Sequence, residues 1–196
     1  DDTNETSDIF VNEYVLGDAG LDRFIGWAVT VGREANSGSF SPALSADGGF
    51  LAFQSFASNL VDGDSNELAD IFQFDFLAGT IVRVNVDHDG HQASGFGLHS
   101  RDPAIAGGTD PKIVFSTLAA NLDVHPVDMN NLEDIYMYSG ASYGSDRVSL
   151  DNDDHEADGS SNDPAISRDG RFIVFSSSAT NLITGDTNQQ GDIFLF

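Results

Sequence analysis

Short apolar segments separated by Gly, Asp, Asn and Ser make up most of the chain, and no long stretch has the period of an amphipathic helix. The apolar segments are rich in β-branched and aromatic residues and are bounded by turn-forming residues, a pattern that predicts short β-strands. The same order of segments returns several times along the chain, which is typical of a repeat architecture.

One nine-residue motif, D-x-N-x-x-x-D-I-[FY], marks the repeat. It begins at positions 2, 64, 128 and 186, so that successive copies are 62, 64 and 58 residues apart. Ahead of the last three copies come a short strand with Pro-Ala-[Leu/Ile], a turn with Asp-Gly or Gly-Gly, and a longer apolar strand, which together predict a tight hairpin. The predicted strand pairs are 41–45 with 50–55, 102–106 with 112–117, and 163–167 with 172–177.

Two more strands complete each repeat. The motif runs directly into an aromatic strand, as at 70–76, and a fourth strand follows at 80–86 or 146–150. Tandem four-stranded units of this size are typical of β-propeller blades. The sequence therefore predicts an all-β fold with about three such repeats in one domain, 1–196, and with repeat boundaries near 2, 64, 128 and 186.

The segment SRDGRFIVFSSSATNLITGDTNQQGDIFLF (167–196) resembles the repeat of the TolB-like (WD40-like) β-propeller family. That family pairs an S-x-D-G-[KR] hairpin with an apolar strand and then a D-I-[YF] strand, and the resemblance is closest to its calcium-loop variants. It extends over nearly the whole chain. Three segments depart from it: AGGTDPK (106–112) lacks the S-x-D-G pattern, 17–31 needs about two extra residues to be a fourth strand, and LDVHPVD (122–128) lengthens the approach to the third motif.

The number of repeats leaves the closure of the ring open. Propellers usually close with about four to eight blades, whereas this chain holds about three blades and one additional strand. Three arrangements remain: a segment of a longer propeller, a ring shared by two chains, or chains joined head to tail through strand 192–196.

The recurring polar loop has the residue types of a calcium site. Calcium takes about six to eight oxygen ligands from carboxylates, amides, backbone carbonyls and water. In each copy the acids at positions one and seven and the Asn at position three would contribute side-chain oxygens. The unrelated residues at position five would contribute backbone carbonyls. The predicted ligands are Asp2, Asn4 and Asp8 in loop 1; Asp64, Asn66, Leu68 and Asp70 in loop 2; Asp128, Asn130, Leu132 and Asp134 in loop 3; and Asp186, Asn188, Gln190 and Asp192 in loop 4.

A metal-free role for the loops is the alternative, because Asp and Asn also close turns by themselves. Asp outnumbers Glu by 26 to 6, and its phasing with the repeat favours calcium over an unpatterned acidic surface. Up to four structural ions are expected. Each would relieve the repulsion between two carboxylates and stabilise the folded chain by mass action.

The strong negative charge narrows the classes of partner. The formal charge is −24, with 8 basic and 32 acidic residues, so a basic face for nucleic acid or anionic lipid is not expected. Cysteine is absent, which excludes disulfides, thiolate metal sites and a thiol nucleophile. No apolar run approaches the roughly 20 residues needed for direct membrane insertion. An acidic, cysteine-free and calcium-suited chain is expected outside a prokaryotic cell, at its surface or in its periplasm.

No catalytic motif stands out, since G-x-S-x-G, H-E-x-x-H and phosphate-binding glycine loops are all absent from the sequence. The function expected first is a calcium-stabilised β-propeller module for interaction or assembly, with a protein partner or self-association and with glycan as a further candidate ligand. One alternative is a self-assembling extracellular structural or filament protein. The other is a glycan-active hydrolase or lyase that uses carboxylates in the propeller pocket.

Overall fold

A computed structural model of the chain describes residues 6–17, 20–28, 34–94, 99–123, 128–140 and 144–196. These residues form an all-β fold of 13 strands in four antiparallel sheets, which confirms the predicted all-β class; two of the sheets have the four strands predicted for a blade. Within the described residues, no helix is long and apolar enough to cross a membrane. Asp2 and Asn4 of loop 1 lie outside the described residues, as does 124–127 in the segment before loop 3.

The sheets follow one another along the chain. An N-terminal hairpin consists of β1 (Phe10–Gly17) and β2 (Gly20–Ala28). The first blade consists of β3 (Ser39–Leu44), β4 (Phe50–Ser55), β5 (Asp70–Asp75) and β6 (Thr80–Arg83). The second blade consists of β7 (Arg101–Ile105), β8 (Lys112–Thr117), β9 (Asp134–Ser139) and β10 (Gly144–Arg147). The third blade consists of β11 (Ser161–Ile166), β12 (Ile173–Ser177) and β13 (Asp192–Leu195).

The first strand of each blade carries a β-bulge at its proline. The residue before the proline has a positive φ in all three blades, and the register of the strand shifts there. A bulge of this kind bends the strand and increases its twist. The strands therefore begin earlier than the sequence pattern predicts. The residues concerned are Ser41, Asp102 and Asp163, with φ of 50°, 53° and 51°.

Two of the three departures from the family pattern are resolved by local geometry. Within 17–31, the described strand β2 pairs antiparallel with β1 from Phe10 to Gly17, with a register shift between Val15 and Leu16. The segment 106–112 still forms a hairpin, in which Gly108 adopts a φ of 108° that favours glycine. The turn chemistry differs from the family pattern, but the strand pairing does not.

An Asn-Leu pair lies between the second and third strands of each blade, and its Asn hydrogen-bonds to the segment that precedes the blade. Asn59 donates its amide to the carbonyl of Glu34 at 2.8 Å and accepts from the N–H of Asn36 at 3.0 Å. The same two hydrogen bonds recur in the other blades, so the amide fixes the start of every blade. The equivalent bonds join Asn121 to Gln92 and Ser94, and Asn181 to Glu156 and Asp158.

The core lies between successive blades rather than inside one sheet. The first and second blades each bury one face against the preceding sheet and the other face against the following blade, and the third blade buries one face against the second. The isoleucine of the D-I-[FY] motif is the recurring contact: Ile9 packs on the first blade, Ile71 on the second and Ile135 on the third. The receiving face is aromatic and aliphatic. It consists of Leu51, Phe53, Phe72 and Phe74 in the first blade, of Ile113, Phe115 and Tyr136 in the second, and of Ile173, Phe175 and Phe194 in the third.

Candidate functional site

Loops 2, 3 and 4 share one backbone conformation, in which the Asn at position three forms an Asx-turn. In loop 2 the Asn66 Oδ1 accepts the N–H of Leu68 at 3.0 Å, an Asx-turn that places Glu67 at a φ of 59°. The Asn66 Nδ2 donates to the Asp70 Oδ1 at 3.1 Å. Loops 3 and 4 repeat this arrangement. The equivalent bonds run from Leu132 to Asn130 and from Asn130 to Asp134, and from Gln190 to Asn188 and from Asn188 to Asp192.

An arginine from the fourth strand faces the two carboxylates of loop 2. The Arg83 Nη1 lies 3.4 Å from the Asp64 Oδ1 and 3.3 Å from the Asp70 Oδ2, and it donates to the Gln92 Oε1 at 2.9 Å. Burial and the charge of Asp70 raise the pKa of Asp64 despite the opposing effect of Arg83. The guanidinium thus supplies the positive charge that two adjacent carboxylates require.

Loop 3 has the same arrangement in a more buried form. The Arg147 Nη1 lies 3.7 Å from the Asp128 Oδ1, 3.3 Å from the Asp134 Oδ2 and 2.9 Å from the Glu156 Oε1. The side chains of Arg147, Asp128 and Asp134 are fully buried. Neither Asp128 oxygen accepts a hydrogen bond. Burial, followed by the charge of Asp134, raises the pKa of Asp128 to about 6, although Arg147 acts in the opposite direction.

A polar residue two positions after each arginine completes the cluster. Asn85 donates to the Asp70 Oδ1 at 2.6 Å and accepts the N–H of Ile71 at 3.0 Å. Ser149 makes the same two bonds to Asp134 and Ile135. The carboxylate at position seven is therefore held by the fourth strand through one neutral donor and one guanidinium.

In loops 2 and 3 the side chains at motif positions one, three and seven, which are predicted calcium ligands, lie close together. Within the part of the chain that the structure describes, however, no three acidic or imidazole groups are arranged to hold an ion. Arg83 and Arg147 face the paired carboxylates, and each Asn directs its amide nitrogen toward the acid at position seven. These two loops do not fit a second cation in this arrangement, and the calcium assignment stays a prediction.

Loops 1 and 4 differ because no arginine occupies the equivalent position. In the first and second blades the arginine lies directly opposite the aromatic residue of the motif, as in the pairs Phe72–Arg83 and Tyr136–Arg147. In the N-terminal hairpin Phe10 lies opposite Ala28. In loop 4 no described cation forms an ion pair with Asp186 or Asp192.

The two arginines were not among the predicted site residues, although the sequence contains a signal for them. Arg83 follows Asp70, and Arg147 follows Asp134, by the same 13 residues. Both are followed by Val and then by Asn or Ser, giving R-V-[NS]. A search for oxygen ligands alone passes over this spacing, because the arginine belongs to the next strand and reaches the loop only through strand pairing.

A separate hollow of about 720 Å³ lies where the hairpin turns of the three blades meet. Its lining includes Asp47 and Asp169, which bears on the hydrolase alternative. A hydrogen bond from Ser45, and then backbone N–H groups, lower the pKa of Asp47 to about 2. The Ser167 hydroxyl likewise lowers the pKa of Asp169. Both groups are ionised at neutral pH, so neither has the raised pKa of a glycosidase general acid.

The repeat, the antiparallel four-stranded sheets and their face-to-face packing define a chain of propeller-type blades. No protein-family profile and no curated protein matches it. The chain is similar to the solved structure of TolB from Acinetobacter baumannii, with 15% identity and a TM-score of 0.46, over 86% of this chain and 34% of that chain. It is also similar to hydrazine synthase from Kuenenia stuttgartiensis, with 13% identity and a TM-score of 0.45, over 87% and 25%. Likeness at this level carries no information about function.

Proposed function

We propose that the chain is an interaction and assembly module of propeller-type blades, and that the exposed face of its third blade docks a further blade-type β-sheet. The observation that carries the proposal is the exposure of Ile193. This side chain is 74% exposed, whereas Ile71 and Ile135, at the same place in the repeat, are fully buried against the next blade.

The neighbours of Ile193 extend the same apolar surface. Val174 and Leu195 pair across β12 and β13 and are 37% and 68% exposed. Val114, which occupies the place of Val174 in the second blade, is fully buried against the third blade. A contiguous apolar surface at positions that are interfaces elsewhere in the same molecule favours a docked protein over solvent.

The chemistry of the partner sheet follows from the two internal interfaces. Each surface that receives a motif isoleucine is rich in Phe, Leu and Ile, as in the Phe53 and Phe72 pair that packs near Ile9. In a second copy of the chain these receiving surfaces are already buried, so the surface through which it serves as a probe for docking is the exposed face of its own third blade. The chain's net charge of −24 opposes association at low ionic strength.

Self-association in solution tests the docking surface. Sedimentation velocity over a wide concentration range is expected to show reversible association that strengthens with added salt, because salt screens the repulsion between acidic chains. Ile193→Asp is expected to abolish it by placing a charge in the contact. Leu77→Asp, at a 97% exposed position in the β5–β6 turn, is the matched control and should associate like the parent chain. A chain that stays monomeric at every concentration and salt level would contradict the proposal.

Structural calcium and an extracellular or periplasmic location are further parts of the proposal. The loops without an arginine are the ones where we expect the ion, with ligands from Asp2, Asn4 and Asp8 in loop 1 and from Asp186, Asn188, Gln190 and Asp192 in loop 4. Support comes from Ala28, which replaces the arginine opposite Phe10, and from the absence of a described ion pair to loop 4. The acidic, cysteine-free composition suits a calcium-rich compartment.

Thermal unfolding across a calcium titration tests the ion separately from the partner. Calcium at a hundred times its Kd stabilises a folded protein by about 2.7 kcal/mol per site. Asp186→Asn is expected to reduce this response. Asp64→Asn changes the same motif position in loop 2, which Arg83 of β6 already faces, and it should leave the response unchanged. An equal response in the parent chain and Asp186→Asn would exclude loop 4 as a calcium site.

A further inference from the structure

We propose that a hollow along the free edge of β6 binds a short extended segment of a partner protein, in which apolar residues are flanked by arginine or lysine. β6 lies at the end of the first blade's sheet and pairs only with β5 among the described strands. The hollow belongs to the first blade and is separate from the exposed face of the third blade, so the inference goes beyond the proposed function.

The hollow extends over both faces of β6 and has a volume of about 500 Å³. Val61 and Ile81 line it on the face that packs on the N-terminal hairpin, and Val82 and Tyr138 line it on the face that packs on the second blade. Val82 is 43% exposed. Because the side chains of an added strand alternate between the two faces of a sheet, those of a segment bound here would contact apolar surface on each face.

The equivalent edge in the second blade is covered by the chain itself. In β10 Ser145 donates its N–H to the Val86 carbonyl at 3.0 Å. Gly144 lies so close to the first blade that an added Cβ would be 2.8 Å from the His88 Cα. Among the residues that the structure describes, the backbone of 80–83 bonds only to β5. The N–H and C=O groups on the other side of β6 are therefore available to a further strand.

The rim of the hollow is acidic, which selects the charge of the bound segment. Asp62 and Asp89 line the hollow and are exposed. Arg83 also lines it, but its Nη1 lies 3.4 Å from the Asp64 Oδ1 and 3.3 Å from the Asp70 Oδ2. The charge of this arginine is thus already compensated within loop 2, and the two rim carboxylates remain to face a partner.

A third acid lies next to the hollow. The His88 Nε2 lies 3.0 Å from the Asp146 Oδ1, and both side chains are partly exposed. The only imidazole in the lining is therefore paired with a carboxylate of the second blade. Together with the formal charge of −24, this distribution repels an acidic segment and attracts a basic one.

Three synthetic peptides test the composition of the segment. The fluorescent peptide RTVIVTR has a basic residue at each end and three apolar residues in the middle, and fluorescence anisotropy at low ionic strength is expected to show that it binds. ETVIVTE reverses the charge and should bind about tenfold more weakly or not at all. RTVPVTR keeps the charge but loses one backbone N–H and the fit of an extended strand, and it should also bind about tenfold more weakly.

Variants at exposed positions assign the binding to the hollow. The double variant Asp62→Asn and Asp89→Asn should bind RTVIVTR about tenfold more weakly, since two exposed ion pairs are lost. The matched control, Asp110→Asn with Asp153→Asn, removes two exposed acids elsewhere and should bind like the parent chain. Val82→Arg places a cation in the hollow and should abolish binding.

Hydrogen exchange locates the bound peptide. Protection is expected at 80–83, whereas protection at 192–196 would place the peptide on the third blade and overturn the inference. Equal affinity for RTVIVTR and ETVIVTE, no binding of either, or equal weakening in the two double variants would also overturn it. Ile193→Asp should still bind the peptide. Peptide binding without self-association would refute the docking face of the third blade alone, and self-association without peptide binding would refute the hollow alone.

Discussion

Replacement of Arg147 by Gln is expected to lower the free energy of unfolding by about 3–5 kcal/mol at neutral pH, the usual cost of leaving buried charges without a partner. Arg147 is fully buried and lies within 3.7 Å of Asp128, Asp134 and Glu156. The glutamine amide has two N–H donors but supplies no charge, so the buried carboxylates would repel one another. Urea unfolding followed by fluorescence measures the loss, with an unchanged m-value indicating the same folded state.

The pH dependence of this loss of stability distinguishes an electrostatic role of Arg147 from a packing role. Burial raises the pKa of Asp128 to about 6, so the stability associated with its neutral form is present at low pH and is lost as the pH rises through that value. Because Arg147 lowers the pKa of Asp128, its removal raises that pKa above 6, so the deficit of Arg147→Gln is expected to shrink as the pH falls toward about 6. A deficit that is constant with pH would show that the guanidinium acts through its packing.

Arg83→Gln is the matched control in the first blade. Arg83 is slightly exposed and faces Asp64, Asp70 and the neutral Gln92, so one acid fewer is left unpaired than in the second blade. We expect a smaller loss than for Arg147→Gln. Arg171→Gln removes an exposed arginine that lies over Phe172 and should change stability by less than about 0.5 kcal/mol.

The strands were predictable from the sequence because residues close to each strand determine where it begins and ends. Asp-Gly and Gly-Gly turns, the Pro-Ala strands and the D-I-[FY] motif recur with the repeat, and each acts within a few residues of itself. Gly48 and Gly170, at a φ of 73° and 67°, show the turn conformation that these dipeptides require. Four-stranded units could therefore be recognised without knowledge of how they pack.

The candidate site was only half predictable, because its two halves come from different strands. The carboxylates of loop 3 are adjacent in sequence, and their convergence follows from the Asx-turn at Asn130. Arg147 reaches them only because β10 pairs with β9 in one particular register. The packing of one blade on another was equally unpredictable. Ile135 is buried and Ile193 is exposed because a further blade packs on the second sheet and none packs on this face of the third in the described structure. Their local sequences, D-I-Y and D-I-F, do not distinguish the two residues.

The arginines also show that part of the acidic charge is neutralised within the chain. A formal charge of −24 and four phased loops favour an external cation as the simplest source of neutralisation. The first and second blades instead carry their own cation on the fourth strand, and each acid at position seven accepts hydrogen bonds from that strand. The fourth strand thereby couples sheet completion to charge neutralisation, so a blade without it has an open edge and an uncompensated acidic loop together.

Truncation of the motif isoleucine is expected to lower the free energy of unfolding strongly in the second blade and hardly at all in the third. Ile135→Ala should lower the free energy of unfolding by about 2–5 kcal/mol, because the side chain is fully buried between the second and third blades and leaves a cavity there. Ile193→Ala should change it by less than about 0.5 kcal/mol in dilute solution, since the side chain is 74% exposed. Urea unfolding at low protein concentration measures both.

Ile71→Ala repeats the buried case at the interface between the first and second blades and should resemble Ile135→Ala. If Ile193→Ala costs as much as Ile135→Ala in the dilute monomer, the third blade is already covered within one chain and its face is not a docking surface. If instead the cost of Ile193→Ala appears only at concentrations where the chain associates, the side chain is buried by the partner. The position that stabilises the fold in the first two blades then serves assembly in the third.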